Sequence, residues 1–381
     1  MSPIKKLIRK LHLWLGLLSG LVVFIIAITG CIYAFQEEIQ DATQPYRFVA
    51  REDKAYKLPT ELLPIAQAQL PGKDLHSLKY FAKDRAVEAT FYHYEPTYYY
   101  AVYLNPYSGK VLKVVDRNAG FFRFILDGHF YLWLPPAIGQ PVVAIFTLIF
   151  FVMVISGIVL WFPKNRAAWK QRVWFRWKET TKWRRKNYDL HNIVGFYASF
   201  VALIFVITGL VWGFRWFAYG YYKMMGGEKS LVYEEPLSTK NRQVSGDAPM
   251  IDQLYGKIFL SQPAIATAEF HPPASDSASM EVATNSEVGT YWKTDYRFFD
   301  QYSGAELSVG HVYGRQQDAK VADKVMRMNY DIHTGGIWGI PGKLLAFFMS
   351  LLIATLPVSG VMIYIGRKKK QKKTVPARAR Q

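Results

Sequence analysis

Leu11–Phe35 reads LHLWLGLLSGLVVFIIAITGCIYAF, twenty-five residues without Asp, Glu, Lys or Arg. A helix needs about 20 apolar residues to cross a bilayer, so this stretch reads as a transmembrane span. Ile138–Phe162, Leu190–Phe214 and Leu344–Ile365 have the same character. The expected fold class is a membrane protein built on a four-helix transmembrane bundle. The chain has 381 residues, a formal net charge of +18, 51% hydrophobic and 16% aromatic residues, and one cysteine. A basic chain of this size first suggests nucleic-acid binding, but such a protein has no need of long uncharged runs. The apolar content excludes a disordered chain. Cys31 alone excludes an internal disulfide, a Cys-rich zinc site and an iron–sulfur cluster.

The charge sorts by position. Lys5, Lys6, Arg9 and Lys10 precede the first span. Lys164, Arg166, Lys170, Arg172, Arg176, Lys178, Lys182, Arg184, Arg185 and Lys186 lie between the second and third, opposed by Glu179 and Asp189. Arg367, Lys368, Lys369, Lys370, Lys372, Lys373, Arg378 and Arg380 follow the fourth. These segments carry a balance of +20, and the rest of the chain −2. The positive-inside rule places both termini and the 163–189 loop in the cytoplasm. The expected order is 1–36 with the first span, 37–137 outside, 138–162 spanning, 163–189 inside, 190–214 spanning, 215–336 outside, 337–366 with the fourth span, and 367–381 as a cytoplasmic tail. The basic runs are read as topology signals facing lipid headgroups, not as a nucleic-acid site. Trp161, Trp169, Trp174, Trp177 and Trp183 fit interfacial anchoring. Ile28-Thr29-Gly30-Cys31 resembles a lipoprotein cleavage site. The apolar run is longer than a signal core, and the same pattern recurs inside the chain.

That recurrence indicates an internal tandem duplication. His12 to Gly16 is matched by His191 to Gly195, and Thr29-Gly30 by Thr208-Gly209, with eighteen residues from His to the second Gly in both. His129 precedes Ser156-Gly157 as His333 precedes Ser359-Gly360. The 103–109 segment, YLNPYSG, matches 298–304, FFDQYSG, and each reads as a β-hairpin. Helices are expected before them, near Pro59–Leu70 and Pro249–Leu260.

Four histidines fall at or near span ends in equivalent positions, His12 and His191 at the inner level, His129 and His333 at the outer. Ionisable residues at membrane depth are functional candidates. Eighteen residues are five helical turns and about 27 Å, so Gly30 and Gly209 share a face with His12 and His191, at the opposite end. The even helices carry the reverse, with Gly157 and Gly360 near the inner end. A flat cofactor needs an axial ligand and a helix that stands aside, and two haems stacked across the membrane fit. The expected ligands are His12 with His191 and His129 with His333, with Gly16, Gly195, Gly30, Gly209, Gly157 and Gly360 lining the site. The competing reading makes the glycines packing contacts and the histidines interfacial hydrogen bonders. Asp127, Asp189 and Asp331 precede three of the histidines by two residues and read as helix N-caps, or else as partners fixing the imidazoles. A non-haem Asp–His metal site is weaker, since residues two apart on a helix diverge. His76, His93, His271 and His311 read as solvated surface.

With these pieces the chain resembles the PepSY-associated transmembrane family, which includes inner-membrane ferric-siderophore reductases of the FoxB type. The resemblance runs to about residue 366. It implies four spans, two PepSY-like α+β periplasmic modules, location in a bacterial inner membrane, and two b-type haems on membrane histidines. The second module departs from the Asn105-Pro106 turn, with Asp300-Gln301 in its place. The function expected is electron transfer across the membrane, from an unidentified cytoplasmic or membrane donor to a periplasmic ferric siderophore or other ferric chelate, releasing iron as Fe(II). No Rossmann fingerprint or P-loop is present, so a nicotinamide or flavin would act through a partner. The alternatives are a quinone-linked cytochrome b and a non-redox PepSY module that regulates a protease or partner.

Overall fold

The computed structural model describes residues 2–163, 165–239 and 248–374. Lys164, Arg378 and Arg380 of the basic runs lie outside these. The chain divides into two units. One comprises Met1–Phe35, Phe124–Ala218 and Ile332–Gln381, the other Gln36–Arg123 and Tyr219–Asp331.

In the first unit, among the described residues, four helices are long and apolar enough to cross a membrane. They are Pro3–Tyr33, Pro136–Trp161, Trp183–Gly213 and Gly339–Thr374, here the first to fourth spans. The first begins with a Ser2 cap, whose hydroxyl accepts from the Lys5 amide at 3.3 Å, and with Pro3 in the first turn. Each span packs against two others in the ring first–second–third–fourth, so the first stands opposite the third and the second opposite the fourth. Val23, Val154, Ala198, Ala202 and Ile353 fill the middle with contributions from all four. Outward-facing Leu18, Leu21, Ile145, Val152, Phe200, Ile204, Leu351 and Leu352 stay exposed, an apolar surface suited to lipid.

Short helices lead into the even spans. Phe121–Tyr131 carries His129, and Asn329–Thr334 carries His333. The chain then reverses tightly. A Cβ on Gly139 would fall 2.2 Å from the Tyr131 carbonyl oxygen. Gly335, at φ 80°, would place one 2.2 Å from the Gly342 carbonyl oxygen. Only glycine permits either approach, and both fix the histidine helices against the spans they precede.

The second unit is one antiparallel sheet. Its strands are β1 (Leu75–Phe81), β2 (Val87–His93), β3 (Tyr98–Leu104), β4 (Val111–Asp116), β5 (Thr267–His271), β6 (Met280–Asn285), β7 (Asp295–Phe299) and β8 (Glu306–Leu307). Their order is β4-β3-β2-β1-β5-β6-β7-β8, the same pattern outward from either side of the β1–β5 seam. The expectation of two separate modules is corrected here. The seam, with Leu78 opposite Phe270 and Lys79 opposite Glu269, joins both segments into one sheet. One face buries Leu78, Tyr80, Phe91, Phe270 and Val282 against helix Pro59–Gln67 and the Met250–Leu260 segment, where both helices were expected. The two hairpin turns are alike despite their sequence difference. Asn105 Oδ1 accepts from the amides of Tyr107 and Ser108, and Asp300 Oδ1 from those of Tyr302 and Ser303. Either side chain makes this Asx turn.

Candidate functional site

The four histidines of the span unit each meet a hydroxyl and a glycine on a neighbouring span. His12 Nδ1 lies 2.8 Å from Ser156 Oγ, and His191 Nδ1 lies 2.9 Å from Ser359 Oγ. His129 Nδ1 lies 3.2 Å from Thr29 Oγ1, and His333 Nδ1 lies 2.8 Å from Thr208 Oγ1. The next residue is glycine each time. A Cβ there would sit 3.3 Å from His12 Cε1 at Gly157, 3.4 Å from His191 Cε1 at Gly360, 3.0 Å from His129 Cε1 at Gly30, and 3.7 Å from His333 Cε1 at Gly209. The glycines therefore make room for imidazoles. The gap expected on the histidine-bearing face of each helix, at its opposite end, takes the imidazole of another helix. Gly16 and Gly195 stand apart from this arrangement; a Cβ there would fall 2.8 Å from Met153 Cε and 3.7 Å from Leu356 Cδ2.

Counting hydrogens assigns the tautomers. A hydroxyl has one proton to give. Ser156 and Ser359 give theirs to the Met153 and Leu356 carbonyls at 2.9 and 3.0 Å. Thr29 and Thr208 give theirs to the Ile25 and Ile204 carbonyls at 2.7 and 2.6 Å. Each hydroxyl oxygen then accepts, so each Nδ1 carries the proton. His129 adds a second indication, since its Nδ1 also faces the Ile26 carbonyl at 3.0 Å. With Nδ1 protonated, Nε2 keeps its lone pair, the form a metal requires. No Nε2 of the four hydrogen-bonds to a described residue.

The rings pair across the bundle. His129 and His333 have ring centres 6.2 Å apart, with planes at 74°. Two imidazoles on opposite sides of one metal, at about 2 Å from ring nitrogen to metal, stand with centres about 6 Å apart. Trp212 and Phe205 flank His333 at 5.2 and 5.8 Å, and Phe130 flanks His129 at 5.7 Å. His12 and His191 sit on opposite spans, each seated by the hydroxyl of a neighbouring one. Among the described residues no three His, Cys, Asp or Glu side chains gather as a metal group. Two imidazoles facing one another suit a metal whose other positions are filled by a macrocycle.

The family model of the PepSY-associated TM region matches residues 9–367. The chain belongs to the PepSY-associated TM region family. It is a membrane protein, and the match takes in all four histidine–hydroxyl–glycine contacts and the whole sheet. No curated protein matches the chain.

Several sequence readings change within this family member. The aspartates are not N-caps. Asp189 lies inside the third span, where its Oδ2 accepts from Arg185 Nε at 2.9 Å and Trp177 Nε1 at 3.3 Å. Asp331 accepts from the amides of Tyr291 and Trp292, and Asp127 lies inside its helix. Hydroxyls, not carboxylates, orient the rings. The sequence signal for this is the Ser or Thr before each glycine. Trp161 is buried and stacked on Phe196 at 3.6 Å, so it packs the bundle and does not anchor it at an interface. His311 is also buried, its Nδ1 accepting from the Tyr313 amide.

Proposed function

We propose that this chain transfers single electrons across the membrane and holds two b-type haems, one between His129 and His333, the other between His12 and His191. The observation that carries this is the set of four imidazoles with protonated Nδ1 and open Nε2, each seated by hydroxyl and glycine, with one pair at 6.2 Å. Haem iron held by these histidines would supply one-electron chemistry. The chain's part is to hold and orient. The Ser and Thr hydroxyls fix ring tautomer and tilt, as partners of metal-bound histidine do. Trp212, Phe205 and Phe130 crowd the outer pair with apolar surface and exclude water. Val23, Val154, Ala202 and Ile353 pack the interval between the two levels.

The charge asymmetry supports a bacterial inner membrane, cytoplasmic termini and a periplasmic sheet unit. The strand order outward from β1–β5 and the paired histidines support a tandem duplication into two PepSY-like halves. The acceptor we favour is a ferric siderophore or other ferric chelate. Reduction by one electron gives Fe(II), a poorer guest for hard oxygen donors. The electron donor is an unidentified cytoplasmic or membrane protein or pool, and no nucleic-acid partner is involved.

An absorption spectrum of protein from haem-replete cells tests the reading. A reducible Soret band with two haems per chain is expected. His12→Ala or His191→Ala should remove one, and His129→Ala or His333→Ala the other. A colourless preparation overturns the redox function and favours a non-redox module. Activity on a soluble ferric chelate in quinone-free detergent separates the proposal from a quinone-linked cytochrome b.

A further inference from the structure

A third imidazole pair stands in the sheet unit, built by the β1–β5 seam. Along β1, Leu78 and Tyr80 enter the apolar core, while Ser77 and Lys79 point to the opposite face. On β5, Ala268 and Phe270 enter the core, and Glu269 and His271 share the face with Ser77 and Lys79. Strict alternation would send His76 to the core side. The register shift between Leu75 and Ser77 inserts one extra residue there. Such a bulge re-aims a side chain, and here it brings His76 against His271. Their ring centres are 4.9 Å apart, with planes at 83°.

Metal geometry distinguishes this separation from that of the span pair. Two imidazoles opposite each other on one metal stand about 6 Å apart between centres. Two at a tetrahedral angle, with metal–nitrogen bonds of about 2.0–2.1 Å, stand about 5 Å apart. His76 and His271 match the second. Glu269 lies beside them, with Oε1 3.9 Å from His271 Nε2. It is itself tied down by Ser77 Oγ at 2.6 Å and Lys79 Nζ at 3.5 Å. A carboxylate at that distance favours cationic charge between the rings without hydrogen-bonding either. His76 is exposed and His271 half-buried, so the pair is open to solvent.

We propose that His76 and His271 form a two-imidazole site for a divalent transition metal, with Glu269 as a neighbouring negative charge and the remaining positions left to water or an incoming ligand. Imidazole donors favour zinc, copper, nickel or ferrous iron over magnesium or calcium. The site owes nothing to the haem proposal, because it uses none of the same residues.

The test is calorimetric titration of the full chain, as purified with its cofactors, with ZnCl2 near pH 7.5. One saturable site is expected. His76→Ala and His271→Ala should each weaken it tenfold or more, and His93→Ala, at a half-buried histidine on β2 stacked on Tyr98, should leave it unchanged. MgCl2 should give no saturable heat. Absence of a saturable zinc site, or a titration of His76→Ala or His271→Ala indistinguishable from that of the native chain, overturns the assignment. Because the readout is metal binding, failure here leaves the haem spectrum untouched, and the reverse holds too.

Discussion

Alanine at the four seating glycines separates a built ligand site from generic helix packing. The four positions are chemically equivalent but not equally tight. An added Cβ would approach Cε1 to 3.0 Å at Gly30, 3.3 Å at Gly157, 3.4 Å at Gly360 and 3.7 Å at Gly209. Ordinary carbon contacts lie at about 3.5–4.0 Å, so Gly30→Ala must push the His129 ring by roughly half an ångström or more, and Gly209→Ala need push nothing. A binding constellation tolerates about 0.5 Å. Overpacking of this kind costs about 1–3 kcal/mol, and about 1.4 kcal/mol is tenfold in affinity. Gly30→Ala should therefore weaken the haem held by His129 and His333 about 5- to 150-fold. Gly157→Ala and Gly360→Ala should fall between, acting on the other haem. Gly209→Ala should stay within about threefold of the native chain. The gain in helix propensity, about 1 kcal/mol, is common to all four and cancels in the comparison. The assay is haem transfer to an apo-haemoprotein acceptor, followed by absorbance. Equal losses at Gly30 and Gly209, or full retention in Gly30→Ala, would refute the reasoning.

Three further outcomes follow from the same geometry. Ser359→Ala leaves the buried His191 Nδ1–H without its acceptor and should weaken the His12–His191 haem about 10- to 100-fold, with Ser359→Thr restoring most of it. Asp300→Ala should destabilise the sheet unit by about 1–3 kcal/mol in urea unfolding, whereas Asp300→Asn, the residue type at the matching turn, should cost far less. Although burial pushes the Asp300 carboxyl up, the amides of Ser303, Thr239 and Tyr302 hold it well below the usual range. Its contribution is therefore present above the unfolded value of about 3.9 and is lost as pH falls through the folded one, and Asp300→Asn should flatten that acid limb. Leu78→Ala, at a position without exposure in the sheet core, should cost about 2–5 kcal/mol in the same unfolding assay.

The spans, the two hairpins and the pairing of His129 with His333 were legible because each rests on local pattern: hydropathy, turn chemistry and spacing along a helix. The fusion of the two outer segments was not. Lys79 and Glu269 are distant in sequence, and nothing local distinguishes a strand that pairs within its own half from one that pairs across. The same seam hid His76 and His271, which read separately as surface. The ring-orienting hydroxyls were misjudged for a different reason. An Asp two residues before a His is a stronger sequence signal than a Ser on another helix, yet the contact belongs to the other helix. Trp161 looked like an interface anchor because its composition was read without its packing partner Phe196.

The histidine pairs also constrain how the protein is made. His129 meets His333, and His12 faces the span that carries His191, so each pair takes one ring from each half of the chain. The first span packs against the second and the fourth, and the fourth is the last to leave the ribosome. Until Asn329–Thr334 and the helix after it have been synthesised and inserted, His129 has no partner and the bundle has an open side. Assembly of the outer pair thus waits for residue 333, and a ribosome stalled before it would leave the first three spans inserted with that level incomplete.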